Sequence, residues 1–211
     1  MIVPFNNLYD EVLPDVPGVP VAVALNAIRN ACIEFCDRSK IWVVDHDPVA
    51  AIAGESVYQF EPPNGAVVCG VSTVRFDGVD IDPTTQLDLR SKYSDWPSMT
   101  GTPRRYLQEN TEELILFPKP AAALADALTM KVALKPTRKA TGIEGWIVEK
   151  FSEELAHGAK AKLFAMQQKP WTSAELSGYH AGKFESAIDS AKLAVAQSLV
   201  KARMRTKAQF I

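Results

Sequence analysis

The sequence predicts an α+β fold, a small helical bundle interrupted by an inserted β-rich segment. Three observations predict it. Apolar residues recur with a helical period over 21–39. The period falls to two, with frequent turn residues, between about 41 and 134. The helical period then returns from about Trp146 toward the C-terminus. One amphipathic helix cannot bury its apolar face alone, and neither can a terminal helical pair. The two ends of the chain are therefore expected to pack as one bundle around the insertion.

The first twenty residues carry Pro4, Pro14, Pro17 and Pro20 with Gly18. Each proline lacks an N–H and biases its predecessor to extended geometry, so residues 1–20 are expected to form an extended arm, latched by Val12 and Leu13. Pro20 suits the opening turn of a helix over Val21 to Ser39. Ala24, Leu25, Ile28, Ala31, Cys32 and Phe35 mark its apolar face, with Asn26, Asn30, Glu34, Asp37 and Arg38 opposite.

Strands are expected near 41–44, 57–60, 67–76, 79–81, 104–108, 114–117 and 128–134, with a short helix over 86–94. Pro62-Pro63-Asn64-Gly65, Gly101-Thr102-Pro103 and Glu109-Asn110-Thr111 separate them. Asp77-Gly78 between Phe76 and Val79 signals a two-residue hairpin, because both central positions tolerate positive φ. Short strands at regular spacing point to an antiparallel sandwich or a barrel-like sheet.

The next helix carries Val148, Phe151, Leu155, the stem of Lys162, Leu163 and Met166 on one face, and Pro170 stops it. A second start follows at once. Thr172 as N-cap with Glu175 three residues on makes a capping box, and Trp171 with Leu176 makes its hydrophobic staple. The last helix, about 173 to 203, is expected to bury Ala181, Phe184, Ile188, Ala191, Val195, Ser198 and Ala202. Small residues dominate that seam, so two antiparallel helices can approach closely. The predicted division is an arm at 1–20, a discontinuous bundle at 21–44 and 139–203, an insertion at 45–138, and a basic tail at 204–211.

Composition narrows the function. A chain of 211 residues, 47% hydrophobic and 23% charged, buries about 70% of its unfolded surface and needs no disulfide or metal to fold. The formal net charge of −2 argues against a protein built to coat nucleic acid. Residues 1–140 carry 13 Lys+Arg against 18 Asp+Glu, and residues 141–211 carry 10 against 7, so the basic excess lies at the C-terminal end. Three cysteines, Cys32, Cys36 and Cys69, form no disulfide framework. The first ten residues lack a signal-peptide pattern, and no apolar run approaches membrane-spanning length, so a reducing cytosol or a particle assembled there is expected.

The chemistry-bearing motifs are missing. There is no phosphate-binding glycine loop, dinucleotide fingerprint, nucleophile elbow or zinc-protease motif. His46, His157 and His180 are scattered. Asp45-His46-Asp47 lacks a second ligand group and is read as a solvated turn past a strand. Cys32 and Cys36, four apart on one helix face, read as core residues. Trp42, Trp146 and Trp171 sit at element ends, where a large ring anchors a join. Neither catalytic residues nor a cofactor or metal is expected.

A series of weaker signals in fixed order carries a resemblance. These are Ala31-Cys32-Ile33-Glu34-Phe35-Cys36 leading to Ile41-Trp42; Asp47-Pro48-Val49; Gly54-Glu55-Ser56-Val57-Tyr58; Val74-Arg75-Phe76-Asp77-Gly78; and Asp95-Trp96. Then come Gly101-Thr102-Pro103-Arg104-Arg105-Tyr106; Leu116-Phe117-Pro118-Lys119-Pro120; Val132-Ala133-Leu134-Lys135-Pro136; Gly158-Ala159-Lys160-Ala161-Lys162-Leu163; and Lys169-Pro170-Trp171. From Val21 to Arg203 the chain resembles the phage head–tail adaptor (connector) family that includes the tail tubular protein A type of short-tailed phages.

The resemblance implies a helical bundle with an inserted antiparallel β-sandwich, assembled as a dodecameric ring in the virion at the head–tail junction. One side would meet the portal protein and the other the tail nozzle or tail tube. Double-stranded DNA would pass non-specifically through the channel, and no membrane is involved. A ring subunit meets its neighbours through two unlike faces, which suits a mixed surface charge. Within this frame Lys201, Arg203, Arg205 and Lys207, with the apolar pair Phe210-Ile211, are the candidate portal-docking tail. Trp171, Thr172, Glu175 and Leu176 are the candidate joint of the helical hairpin. The alternative is a β-sandwich recognition module of a phage tail or baseplate, taking glycan or receptor on exposed loop aromatics. A thiol hydrolase using Cys36 or Cys69 is a third reading.

Overall fold

The computed structural model describes residues 1–197. The chain begins with β1 (Ile2–Pro4), a 3-10 turn at Phe5–Leu8, the single-turn α1 (Tyr9–Val12) and a second 3-10 turn at Leu13–Asp15. The long helix α2 (Val21–Ser39) follows. Next come β2 (Val43–Ala51), β3 (Val57–Gln59), β4 (Ala66–Phe76), β5 (Val79–Asp80), β6 (Asp82–Pro83) and α3 (Gln86–Lys92). After β7 (Thr100–Gly101) stand β8 (Arg105–Leu107), β9 (Glu113–Phe117), β10 (Lys119–Pro120) and β11 (Leu124–Pro136). The chain closes with β12 (Gly142–Glu144), α4 (Gly145–Phe164) and α5 (Ala174–Ala196). The α+β class is as the sequence predicts. Two compact units emerge: Met1–Trp42 with the chain from Pro136 onward, and Val43–Lys135.

The helical unit is built around α2, whose limits match the periodicity. Pro20 in extended geometry opens it, and Lys40 in the left-handed region (φ 55°) closes it with its N–H on the Cys36 carbonyl at 2.9 Å. Ala24, Ala27, Ile28, Ala31, Cys32, Phe35 and Cys36 are buried on one stripe. Ser39 is buried with them, because its hydroxyl donates to the Phe35 carbonyl (2.6 Å) and accepts from Ile41 N–H (3.3 Å). Phe35 stands against two rings, Phe151 at 5.1 Å and Phe184 at 6.2 Å between centroids. Those three residues come from α2, α4 and α5, so the bundle shares one aromatic centre. At Phe151 the backbone of α4 leaves helical geometry (φ −131°, ψ 24°).

Residues 1–20 are not an extended arm. Phe5, Leu8, Val12 and Val16 are all buried to 1% exposure or less. β1 pairs antiparallel with β12, Ile2 opposite Glu144 and Pro4 opposite Gly142. A Cβ at Gly142 would run into the Val3 carbonyl, so only glycine permits that approach. The prolines punctuate this segment without straightening it. Pro14 lies in the first turn of a 3-10 helix, where its missing N–H removes no bond.

The β-rich unit holds two four-stranded sheets, ordered β2-β11-β4-β5 and β3-β9-β8-β6. Pairing is mainly antiparallel, but β6 runs parallel to β8, and β7 parallel to β10. The Asp77-Gly78 turn has the expected positive φ at both positions (50° and 74°) and sets Phe76 opposite Val79. β2 is the strand the sequence places worst. It begins at Val43 and runs through Pro48 to Ala51, and as an edge strand it tolerates a proline. Asp45-His46-Asp47 therefore lies within a strand, not past one.

The α4–α5 contact depends on one absent side chain. A Cβ at Gly158 would fall 2.6–2.9 Å from three atoms of the Phe184 ring, whereas one at Gly178 or Gly182 of α5 would meet nothing within 4 Å. The same substitution should thus have opposite signs on facing helices. Gly158→Ala is expected to destabilise by about 1–3 kcal/mol through overpacking. Gly178→Ala should stabilise by roughly 0.5–1 kcal/mol through backbone entropy alone. Urea unfolding of both variants checks this, and a Gly158→Ala variant as stable as the parent would refute the close contact.

Candidate functional site

The helical hairpin is the part of the chain that sequence reasoning singled out and the structure describes. After α4 the chain turns through Gln168, which takes a left-handed conformation (φ 58°). Ser173 N–H donates to the Phe164 carbonyl at 3.0 Å, tying the start of α5 to the end of α4. The N-cap is Ser173, not Thr172: the Ser173 hydroxyl accepts from Leu176 N–H at 3.3 Å. Thr172 fastens the turn itself. Its hydroxyl donates to the Met166 carbonyl and accepts from Lys169 N–H, the latter at 2.9 Å. A one-residue shift moves Glu175 to the second helical position, still favourable at the positive end of the helix dipole but no longer able to close a capping box. Trp171 is half-buried and its Nε1 finds no acceptor among the described residues. Leu176 is 43% exposed, so it is not the buried half of a staple.

Higher in the bundle, charges bind the three long helices. Glu34 of α2 accepts from Lys162 of α4 at 2.5 Å and from Arg38 at 3.2 Å. Arg38 also forms a two-pronged pair with Glu185 of α5, one prong at 2.6 Å. That guanidinium holds the Glu185 carboxyl below its usual range. The groups are a third or more exposed, so their role is to fix helix register more than to add stability.

A second polar group was not foreseen. Lys160 is only 8% exposed and meets Asp15 at 2.5 Å. Beside it, His157 of α4 and His180 of α5 face each other with Nδ1 atoms 2.7 Å apart, and His180 stacks on Phe164 at 5.6 Å with rings nearly parallel. A signal was present in the sequence. A hairpin turning near 168–169 puts residues whose numbers sum to about 337 opposite each other, and 157 and 180 satisfy that.

The remaining candidates resolve into structure. His46 has both ring nitrogens engaged: Nε2 accepts from Glu61 N–H at 3.1 Å, and Nδ1 lies 2.8 Å from the Asp47 carbonyl. Asp45 pairs with Lys131 at 3.2 Å. The shallow cavity around them, about 460 Å³, is lined on one side by Thr73 and Arg75. Among the described residues no His, Cys, Asp and Glu side chains gather as a metal site. Cys32 and Cys36 are buried, and burial pushes the Cys32 thiol far up, away from the thiolate that a nucleophile needs. Trp96 packs edge-on against Phe117 at 6.2 Å, beside Leu89 and Leu107, so it anchors α3 to its sheet and is no free platform. No helix among the described residues is long and apolar enough to cross a membrane. Lys201, Arg203, Arg205, Lys207, Phe210 and Ile211, together with Ser198 and Ala202 of the expected seam, lie outside the described residues.

Two comparisons bear on this arrangement. A family model described as SU10 adaptor protein matches residues 5–207. No curated protein matches the chain. The match spans the bundle, the insertion and the N-terminal segment whose side chains complete the core.

The corrected cap makes a direct prediction. Ser173→Ala should cost about 1 kcal/mol, the usual loss for an N-cap hydroxyl, and should speed amide exchange first at Leu176 and its neighbours. Calorimetry with exchange measurements reads both effects, and an unchanged melting point would return the cap to Thr172.

Proposed function

Because the chain belongs to the SU10 adaptor protein family, we propose that this phage adaptor is the ring subunit that joins the portal protein to the tail at the head–tail junction. In this reading it has the tail tubular protein A type of architecture. Copies assemble in the host cytoplasm into a dodecameric ring whose channel passes double-stranded DNA. The observation that carries the proposal is the family match over residues 5–207, on a chain whose described segments 1–42 and 136–197 share one helical unit.

Physical features support it. His46, the centre of the Asp45-His46-Asp47 cluster, has both ring nitrogens engaged within its own fold. The formal net charge of −2 suits a conduit, since a strongly basic lining would hold the duplex by its phosphates and hinder sliding. The basic C-terminal residues Lys201, Arg203, Arg205 and Lys207, ending in Phe210-Ile211, then serve as a portal-docking tail. Their charges meet acidic portal surface while the apolar pair enters a crevice. Such a contact is modest per residue and weakens with salt.

Truncation after Ala202 tests this. The shortened chain should melt as the parent does yet co-purify less with the portal ring, and the difference should shrink as salt is raised. Undiminished capture across the salt series would remove the docking role from the tail. Failure of the full chain to bind the portal ring at all would overturn the adaptor reading itself.

A further inference from the structure

We propose that His157 and His180 form a pH-sensitive latch between α4 and α5, closed while the two rings share one proton and opened when both are protonated. The geometry imposes the rule. Two Nδ1 atoms 2.7 Å apart leave room for one hydrogen between them, so one ring donates and the other accepts. The donating ring has a free Nε2 and can take a proton there without breaking the bond. The Nε2 of His157 lies 3.9 Å from Glu153, which suits that first proton. The accepting ring has only its Nδ1 left to protonate. A second proton therefore sets two N–H groups, and two positive charges, against each other at the helix contact.

The surroundings set when this happens. Glu153, Glu154 and Lys160 of α4, Lys183 of α5 and Asp15 of the N-terminal segment all act on the pair. Burial is the leading cause that holds both rings below the ordinary histidine value. At His180 the neighbouring His157 and then Lys160 add to it, at His157 Lys160 does, and the carboxylates only partly offset this. Groups held low in the fold stabilise it when neutral. That contribution is complete above the unfolded histidine value of about 6.5 and is lost as pH falls below it. His180 is 8% exposed, stacked on Phe164 and met edge-on by the Tyr179 ring. Repulsion inside the contact is relieved most directly by parting α5 from α4.

Asparagine can keep a hydrogen bond near the place of Nδ1 and does not titrate, so His157→Asn and His180→Asn are the informative variants. Urea unfolding of the parent, both single variants and the double variant is compared at pH 8 and pH 5. The Lys160 hydrogen bond holds the Asp15 carboxyl below the usual range, so Asp15 stays ionised across this window. Between pH 8 and pH 5 the parent's unfolding equilibrium should shift toward unfolding, by at most about thirtyfold per ring for an unfolded value of about 6.5, and the double variant should shift far less. Amide protection over Ala174–Ala196, corrected for intrinsic rates, should fall with pH in the parent only. Ring titration by NMR in the unmodified chain gives a check that needs no variant. Both rings should titrate below their values in the urea-unfolded chain, in two separate steps. Equal pH losses in parent and double variant, or rings titrating at the unfolded value, would overturn the latch.

Discussion

Phe184 lying directly over Gly158 is the contact from which the helical unit takes its form. A helix pair approaches this closely only where one side offers no side chain, and interiors packed to crystal density do not forgive an added methyl. Once Phe184 is seated, its ring reaches Phe35, and Phe35 reaches Phe151. The register of α5 against α4 follows, and with it the His157–His180 pair and the Ser177 hydroxyl bond to the Ala161 carbonyl at 3.0 Å. The Lys162–Glu34 and Arg38–Glu185 pairs then tie α4 and α5 to α2 at the rim.

That register also determines what is polar inside. Lys160 is carried inward with the turn that holds Gly158 and Ala159, and the N-terminal segment supplies Asp15 to meet it. An unpaired buried ammonium would cost several kcal/mol, and removing Asp15 alone would leave one. The segment before α2 is thus held to the helical unit by the β1–β12 pairing, by the apolar side chains Phe5, Leu8, Val12 and Val16, and by the ionic contact of Asp15.

The sequence was most legible where local chemistry and tertiary packing agree. Helix α2 has an opening proline and a clean apolar stripe, and Asp77-Gly78 needs only backbone sterics, so both were readable to the residue. The hairpin cap was read one residue early because Thr172 and Ser173 are both good caps, and only tertiary bonds to Lys169 and Met166 commit Thr172 elsewhere. Residues 1–20 were misread because proline frequency outweighed a real apolar period at Phe5, Leu8, Val12 and Val16. Strand β2 began late and ran through Pro48, which only its edge position permits. Function was less legible than fold. Single motifs carried little, and the expected absence of catalytic groups is a negative reading that no local geometry converts into a role. The order of many weak motifs held the information, and the family match supports its coarser part, a phage adaptor.

The strands that carry the chain into and out of the β-rich unit, β2 and β11, are hydrogen-bonded neighbours, with Val43 opposite Ala133. Antiparallel partners stand about 5 Å apart, a gap that a tight turn spans. Residues 43–135 therefore form a cassette with adjoining ends, so a change in the length of its inner loops leaves the spacing of the two strands that enter and leave it untouched. The contact of Phe184 with Gly158 and Phe35 lies wholly outside that cassette, within the helical unit.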